Sequence, residues 1–226
     1  MRALPDVFLR ELGALPEAYL QHSDPIRQSG FGGGAERWRL EREPILDAVT
    51  RSGSFIDIGC ANGYLLECLI AWGKKRQLEL KPYGLDVSAA LIALARQRFP
   101  GFEDHFYIAN AWRWEPPRRF EFVYTLSDNV PLDYLTEYVR QLLGNVVAAG
   151  GRLIVGAYGS RTRHEPAFDV MGFMKNAGFS VAGSLGRVFT NADCERRDQR
   201  PPTKRGGGFT GAVRRASKAA SSLTRV

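Results

Sequence analysis

The sequence lacks a hydrophobic run long enough to cross a membrane. Its longest apolar stretches, such as residues 65–72, fall well short of the ~20 residues that a transmembrane helix needs. The amino-terminal residues do not resemble a secretory signal, because charges interrupt the place where its apolar region would lie: Arg2, Asp6, Arg10 and Glu11. We therefore expect no membrane span and no secretion, which favours a cytoplasmic protein.

Cysteine is scarce as well. The chain has three cysteines, and their positions show none of the paired spacings that are typical of zinc sites: Cys60, Cys68 and Cys194. An odd, unpaired set does not form a disulfide framework. These features indicate a reducing compartment and predict no metal site.

Most of the chain has no excess of charge, although the whole carries a formal net charge of +7. Residues 195–226 contain nine of the 31 basic and two of the 24 acidic side chains, which leaves 22 of each in residues 1–194. The tail is rich in glycine, proline and small residues and cannot bury a core, so we predict that it is disordered in isolation. The basic charge therefore belongs to a tail and not to a folded domain.

Short apolar segments alternate with helical patterns from residue 53 onward. The predicted strands are residues 54–58, 82–85, 106–109, 120–126, 152–157 and 179–185, and residues 188–190 are a candidate for a short seventh strand. Strands separated by helices are typical of an α/β protein with right-handed crossovers. We predict a Rossmann-like, doubly wound, mostly parallel sheet of six or seven strands, with helices on both faces.

These patterns divide the chain into three parts. Residues 1–52 form an amino-terminal helical segment, with helices predicted at 4–22 and 35–52. The glycine-rich connector between them is either a spacer or a lid over a ligand. Residues 53–194 form the α/β domain, and residues 195–226 form the basic tail.

A glycine-containing turn follows the first strand and opens the first helix of the α/β domain. Gly59 and Gly63 are four residues apart, and Asp57 precedes Gly59 by two. Glycines allow a sharp turn and let a ligand approach the free N–H groups of the helix start. The pattern differs from the Gly-x-Gly-x-x-Gly of nicotinamide sites, and a carboxylate at Asp57 would repel a pyrophosphate but attract an ammonium group. Tight packing of strand on helix is the alternative reason for the glycines.

Several ordered signposts resemble the class I S-adenosylmethionine-dependent methyltransferase family. They are Asp-x-Gly-x-x-x-Gly at residues 57–63, an acid at the end of the second strand, residues 108–112 after the third, residues 120–125 as the fourth, and residues 149–155 leading into the fifth. The resemblance covers roughly residues 53–185. It implies the cofactor S-adenosyl-L-methionine and places the site at the carboxyl ends of the strands.

The resemblance implies roles for residues beside the methionine and ribose portions. Gly59, Cys60 and Gly63 would cradle the methionine portion, with Asp57 near its ammonium group. Asp86 is similar to the acid that accepts hydrogen bonds from both ribose hydroxyls, a task that suits a carboxylate. As an alternative, Asp86 could act only as an acid at a helix start.

Around the adenine and the sulfur, the resemblance again implies specific residues. Asn110 and the backbone of Ala111 would hold the adenine edge, although asparagine is also a common turn residue. Val87 and Trp112 would cover the adenine faces, or Trp112 would cover only a core edge. Leu126 would lie under the sulfonium.

The function that the resemblance implies is transfer of a methyl group to a small-molecule acceptor. One alternative is an RNA methyltransferase whose basic tail attracts phosphates, which the zero net charge of residues 1–194 disfavours. Another is a module that binds the cofactor without catalysis. No general base is assigned; the candidates are His22, His105, His164, Asp128 and Tyr158, of which His164 is the best-placed histidine.

Overall fold

A twisted sheet forms the centre of the computed structural model, which describes residues 2–159, 166–185 and the backbone of 219–225. Within these residues seven strands pair in the order β3-β2-β1-β4-β5-β7-β6. Their bounds are β1 Gly53–Ile58, β2 Leu80–Asp86, β3 Phe106–Ile108, β4 Phe120–Leu126, β5 Val147–Gly159, β6 Gly183–Leu185 and β7 Ala219–Arg225. The predicted Rossmann-like class is confirmed, with five adjacent parallel strands, β3-β2-β1-β4-β5, forming its block.

Seven α-helices connect or flank these strands in the described part of the chain. They are α1 Asp6–Leu20, α2 Pro25–Gln28, α3 Gly34–Arg42, α4 Tyr64–Lys75, α5 Ala89–Arg98, α6 Leu135–Gln141 and α7 Val170–Asn176. Three-residue 3₁₀ turns lie at Glu103–His105, Ser127–Asn129 and Leu132–Tyr134, and a π-helical turn at Leu142–Val146 extends α6. None of the helices within the described ranges is long and apolar enough to cross a membrane.

Alternating side chains of the strands pack into two hydrophobic cores, one on each face of the sheet. Phe55 and Phe122 pack on the face that α4 and α5 cover, whereas Ile56 and Val123 pack on the face that α6 and α7 cover. Successive side chains of a strand point to opposite faces, so a strand buried on both sides must be apolar throughout. This arrangement confirms the prediction of helices on both faces and leaves the carboxyl ends of the strands open for a site.

Strand β7 was not expected from the sequence. Strand β7 lies between β5 and β6 and is antiparallel to both. It comes from the tail that composition predicts to be disordered in isolation; in the folded protein Ala219–Arg225 of this tail pairs with the sheet. The composition argument considered only burial in a core, whereas a sheet edge recruits a strand through backbone hydrogen bonds. The candidate seventh strand at residues 188–190 lies outside the described residues, as do His164 and Cys194.

The amino-terminal segment crosses the open end of the sheet. Helix α1 has no buried residue. The residues before it are held to the α/β domain by two hydrogen bonds from side chains to backbone carbonyl oxygens. The indole nitrogen of Trp112 donates to the Arg2 carbonyl oxygen at 3.0 Å, and the Tyr134 hydroxyl donates to the Ala3 carbonyl oxygen at 2.9 Å. The second predicted helix, 35–52, is shorter than expected: α3 ends at Arg42, and a 3₁₀ helix, Glu43–Ala48, follows because Pro44 interrupts the α-helical hydrogen bonds.

Gly84 on β2 leads to a stability prediction. A Cβ atom at this position would lie 2.7 Å from the Cys60 sulfur and 2.7 Å from the ring of Phe106. We expect Gly84→Ala to lower the free energy of unfolding by about 1–3 kcal/mol, because an overpacked core must shift. Chemical denaturation measures this change, and Gly144→Ala is the control, since a Cβ at Gly144 would meet no atom within 4 Å. Equal stability of the two variants would contradict the prediction.

Candidate active site

A cleft opens at the carboxyl ends of β1, β2, β4 and β5, under helix α1. It encloses about 980 Å³ of space between the atoms, including the part that is open to solvent. It brings together six of the residues that the sequence nominated: Gly59, Asp86, Val87, Asn110, Ala111 and Leu126. Ligands of open α/β sheets bind at this edge, so the cleft is the candidate active site.

Gly59 forms the floor of the cleft. Its φ of +86° is in the left-handed region, and its backbone nitrogen donates to the Leu85 carbonyl oxygen at 2.7 Å. A Cβ atom at Gly59 would lie 3.1 Å from the side-chain oxygen of Asn129. The backbone conformation and the close side chain together explain why this position requires glycine.

Asp86 ends β2 and faces the cleft with a largely fixed carboxylate. One oxygen accepts from the Ala61 nitrogen and the other from the Ser88 nitrogen, each at 2.9 Å. Burial raises the pKa of Asp86, while these backbone donors and that of Val87 act in the opposite direction. A carboxylate has about four lone-pair positions, so acceptor capacity remains for two hydroxyl groups. This geometry fits a ribose diol.

Val87, Asn110 and Ala111 line the adjoining part of the cleft. The side-chain oxygen of Asn110 accepts from the Trp112 nitrogen at 2.9 Å, which closes a local turn. Its amide NH₂ group is therefore the part that remains to bind a ligand edge. Asn110 therefore both closes a turn and lines the cleft.

Trp112 is not among the residues that line the cleft, which favours the alternative that it covers a core edge. Its ring packs against Tyr134, with ring centroids 5.3 Å apart. The indole N–H bond to the Arg2 carbonyl oxygen orients the ring under the amino-terminal segment. A buried indole needs such a hydrogen-bond partner, which decides the side to which the ring turns.

Three other nominated residues lie just behind the lining. Gly63 precedes α4 with a φ of +75°, and a Cβ there would meet Ala95 and Phe99 and not a ligand. Cys60 is buried, and burial raises the pKa of its thiol well above the ordinary value. Asp57 is also buried; burial first, and then the Asp86 carboxylate, raise the pKa of Asp57 to about 7, while Arg42 lowers it.

Arg42 is a functional candidate that the sequence reasoning missed. It lines the cleft although only 6% of its surface is exposed, and its guanidinium carbon lies 3.8 Å from the centre of the Tyr158 ring. Its Nη1 atom is buried without a hydrogen-bond partner among the described residues; its ion-pair contact to a Glu41 oxygen is 3.6 Å long, beyond hydrogen-bond distance. A buried cation in this state is suited to a bound anion. No pattern in the sequence of α3 indicates which of its arginines is buried, so Arg42 could not be nominated from the sequence.

The end of β4 supplies a second polar wall. Leu126, Asp128 and Asn129 line the cleft, as does Tyr158 at the end of β5. The hydroxyls of Tyr158 and Tyr124 are 2.5 Å apart, and burial raises the pKa of both, so they stay protonated near neutral pH. Among the histidines of the described ranges, neither His22 nor His105 lines the cleft.

No protein-family model matches the chain. Over 100 residues it is 34% identical to the trans-aconitate 2-methyltransferase of Rhodopseudomonas palustris, a match that covers 44% of this chain and 36% of that protein. The match thus takes in only about a third of that relative's length.

Two solved structures share the fold. A SAM-dependent methyltransferase from Aquifex aeolicus superposes with a TM-score of 0.51 at 13% identity, covering 93% of this chain and 96% of that one. Phosphoethanolamine N-methyltransferase 1 of Haemonchus contortus, solved with phosphoethanolamine and S-adenosylhomocysteine, gives 0.53 at 15% identity, covering 69% of this chain and 33% of that one. Together with the strand order, these likenesses show that the chain shares the fold of these methyltransferases.

Proposed function

We propose that the chain binds S-adenosyl-L-methionine and transfers its methyl group to a small-molecule acceptor. The observation that carries this proposal is the set of nominated residues on one wall of the cleft, with the Asp86 carboxylate fixed by Ala61 and Ser88. In this arrangement Asp86 binds the ribose hydroxyls, and Val87, Asn110 and Ala111 surround the adenine. Gly59 leaves room for the methionine portion, and Leu126 lies under the sulfur.

The amino-acid end of the cofactor carries a carboxylate and an ammonium group. Arg42 has a buried guanidinium nitrogen that makes no hydrogen bond to the described residues and lies 3.6 Å from a Glu41 oxygen. Asp57 is close enough to Arg42 for the two charges to influence each other. One buried cation beside one buried acid is complementary to an amino-acid zwitterion. We assign the cofactor carboxylate to Arg42 and the ammonium group to Asp57, with Cys60 and Gly63 supporting the turn from behind.

The bound cofactor supplies an electrophilic methyl group. Transfer is a displacement at carbon, so the protein must align the acceptor opposite the departing sulfur and exclude water. Leu12, Leu15 and Pro16 of α1 form an apolar cover over the cleft. Asp128 and Tyr158 are the polar groups on the acceptor side, where they orient the nucleophile.

Two observations support a small-molecule acceptor over RNA. The cleft is covered by α1, and the side chains of residues 1–194 carry no net charge, whereas an RNA enzyme needs a basic face around its site. The similarity to a trans-aconitate methyltransferase over 100 residues makes trans-aconitate the first acceptor to test. Incubation with cofactor and either trans-aconitate, related carboxylic acids or a short RNA, followed by mass spectrometry, identifies which one gains a methyl group.

The cofactor assignment is tested by calorimetric titration of S-adenosyl-L-methionine. We expect saturable binding that Asp86→Ala weakens by about tenfold, because charge-assisted hydrogen bonds to the ribose are lost. The matched control is Asp104→Ala, since Asp104 is an exposed acid outside the cleft with 88% of its side chain accessible. Absence of binding to the folded wild-type protein would refute the proposal, and equal weakening by the control would refute the role of Asp86.

A further inference from the structure

The amide of Asn129 is held in one orientation at the floor of the cleft. Asn129 ends the short 3₁₀ turn after β4. Its Nδ2 atom donates to the Ile58 carbonyl oxygen at 2.9 Å and to the Thr125 hydroxyl at 2.9 Å. Both hydrogens of the NH₂ group are thereby used. The side chain joins the end of β1 to the end of β4 and cannot rotate without losing both bonds.

This orientation leaves the amide oxygen as the free part of the group. No residue in the described part of the chain donates a hydrogen bond to Asn129 Oδ1, and the atom is not among the buried unpaired ones. Asn129 lines the cleft, beside the Gly59 position where a Cβ would lie 3.1 Å from Oδ1. The cleft therefore has at this point a hydrogen-bond acceptor with no donor of its own.

The covalent structure of the cofactor indicates what lies beside this oxygen. If the ribose is bound at Asp86 and the amino-acid end at Arg42 and Asp57, the sulfur must lie between these two anchors, above Gly59. We propose that Asn129 Oδ1 contacts the sulfonium centre of S-adenosyl-L-methionine through the polarised C–H groups of its methyl and methylene carbons. This inference rests on the proposed function and adds to it a residue that recognises the charge of the methyl donor.

The contact distinguishes the substrate form of the cofactor from its product. The sulfonium carries a positive charge that polarises the C–H bonds on adjacent carbons, whereas S-adenosylhomocysteine has a neutral thioether. A C–H···O contact contributes about 0.5–1 kcal/mol, so Asn129 favours the cation over the thioether by roughly two- to fivefold. Loss of the charge on methyl transfer then weakens the hold on the product.

The experiment measures the affinities of S-adenosyl-L-methionine and S-adenosylhomocysteine for each variant by calorimetry. We expect Asn129→Leu to lower the ratio of substrate affinity to product affinity by about two- to fivefold, because the amide oxygen is lost. Asn129→Asp keeps an oxygen acceptor and adds a negative charge, so this ratio should rise. The second variant keeps the test decisive where the first does not fold.

The control is Tyr138→Phe, in the same network but away from the cleft. The Tyr138 hydroxyl bonds to Thr125 at 2.8 Å, and its removal should lower thermal stability while leaving the affinity ratio unchanged. An unchanged ratio in both Asn129 variants, with both ligands still bound, overturns the inference and leaves the proposed function intact. Wild-type protein that binds neither ligand overturns the proposed function itself.

Discussion

Replacing Arg42 with methionine is expected to lower the affinity for S-adenosyl-L-methionine by about 10- to 100-fold, the effect of one lost charge-assisted hydrogen-bonded pair. Methionine keeps the apolar stem of Arg42 but removes the guanidinium group that lies over the Tyr158 and Trp38 rings. The affinity of Arg42→Lys should lie between those of the wild type and Arg42→Met, because an ammonium group keeps the charge but not the planar guanidinium geometry that matches a carboxylate. Calorimetry measures all three affinities.

The matched control is Arg39→Met on the same helix. Arg39 is exposed and pairs with Glu43 at 2.6 Å, so its loss should leave cofactor binding unchanged. A cofactor analogue without the methionine carboxylate provides the second arm: wild type and Arg42→Met should bind it almost equally. If Arg42→Met weakens this analogue as much as the complete cofactor, the assignment of the carboxylate to Arg42 is wrong.

The second large effect is a dependence of cofactor affinity on pH. Burial raises the pKa of Asp57 to about 7 in the free protein, and a bound ammonium group favours the ionised carboxylate. Below pH 7, binding must therefore release a proton, and the affinity should fall by up to about tenfold for each pH unit. Titrations between pH 8 and pH 5.5 would reveal this slope, together with proton release in buffers of different ionisation enthalpy.

Asp57→Asn should bind more weakly at pH 8 and show a flatter profile. The groups that influence Asp57 are Asp86, which raises its pKa, and Arg42, which lowers it, so a shallow dependence from Asp86 remains. The same shift has a consequence for the protein without ligand. A carboxyl whose folded pKa is raised binds more protons when folded, so stability falls as pH rises from about 4 to about 7. A steep affinity profile in Asp57→Asn would contradict the role of Asp57.

The sequence was sufficient for the sheet and for one wall of the cleft, because both depend on local patterns. Alternating apolar strands and helices predict the fold, and a glycine turn followed one strand later by Asp86 is visible in a short stretch of chain. The opposite wall was not predicted. Arg42 and Asn129 gain their significance from burial and from partners on other strands, and neither residue type nor spacing reveals such contacts.

Trp112 shows the same limit for a residue that the sequence pattern did indicate. Its position after β3 suggested stacking on a ligand, yet its indole nitrogen finds a partner in Arg2, 110 residues earlier. The direction of a polar side chain at the end of a strand depends on which distant group forms its hydrogen bond. Local pattern therefore predicts where a residue lies in the sheet more reliably than what its side chain contacts.

The position of β7 changes how the basic tail can be studied. Because β7 lies between β5 and β6, cutting the chain after residue 194 would delete an inner strand and expose two unpaired strand edges, which promotes aggregation. A shortened chain that lost activity or RNA binding would then report on a damaged sheet and not on missing charge. Neutralising substitutions such as Arg214→Gln and Arg215→Gln leave β7 in the chain, so they separate the electrostatic contribution of the tail from its contribution to the fold.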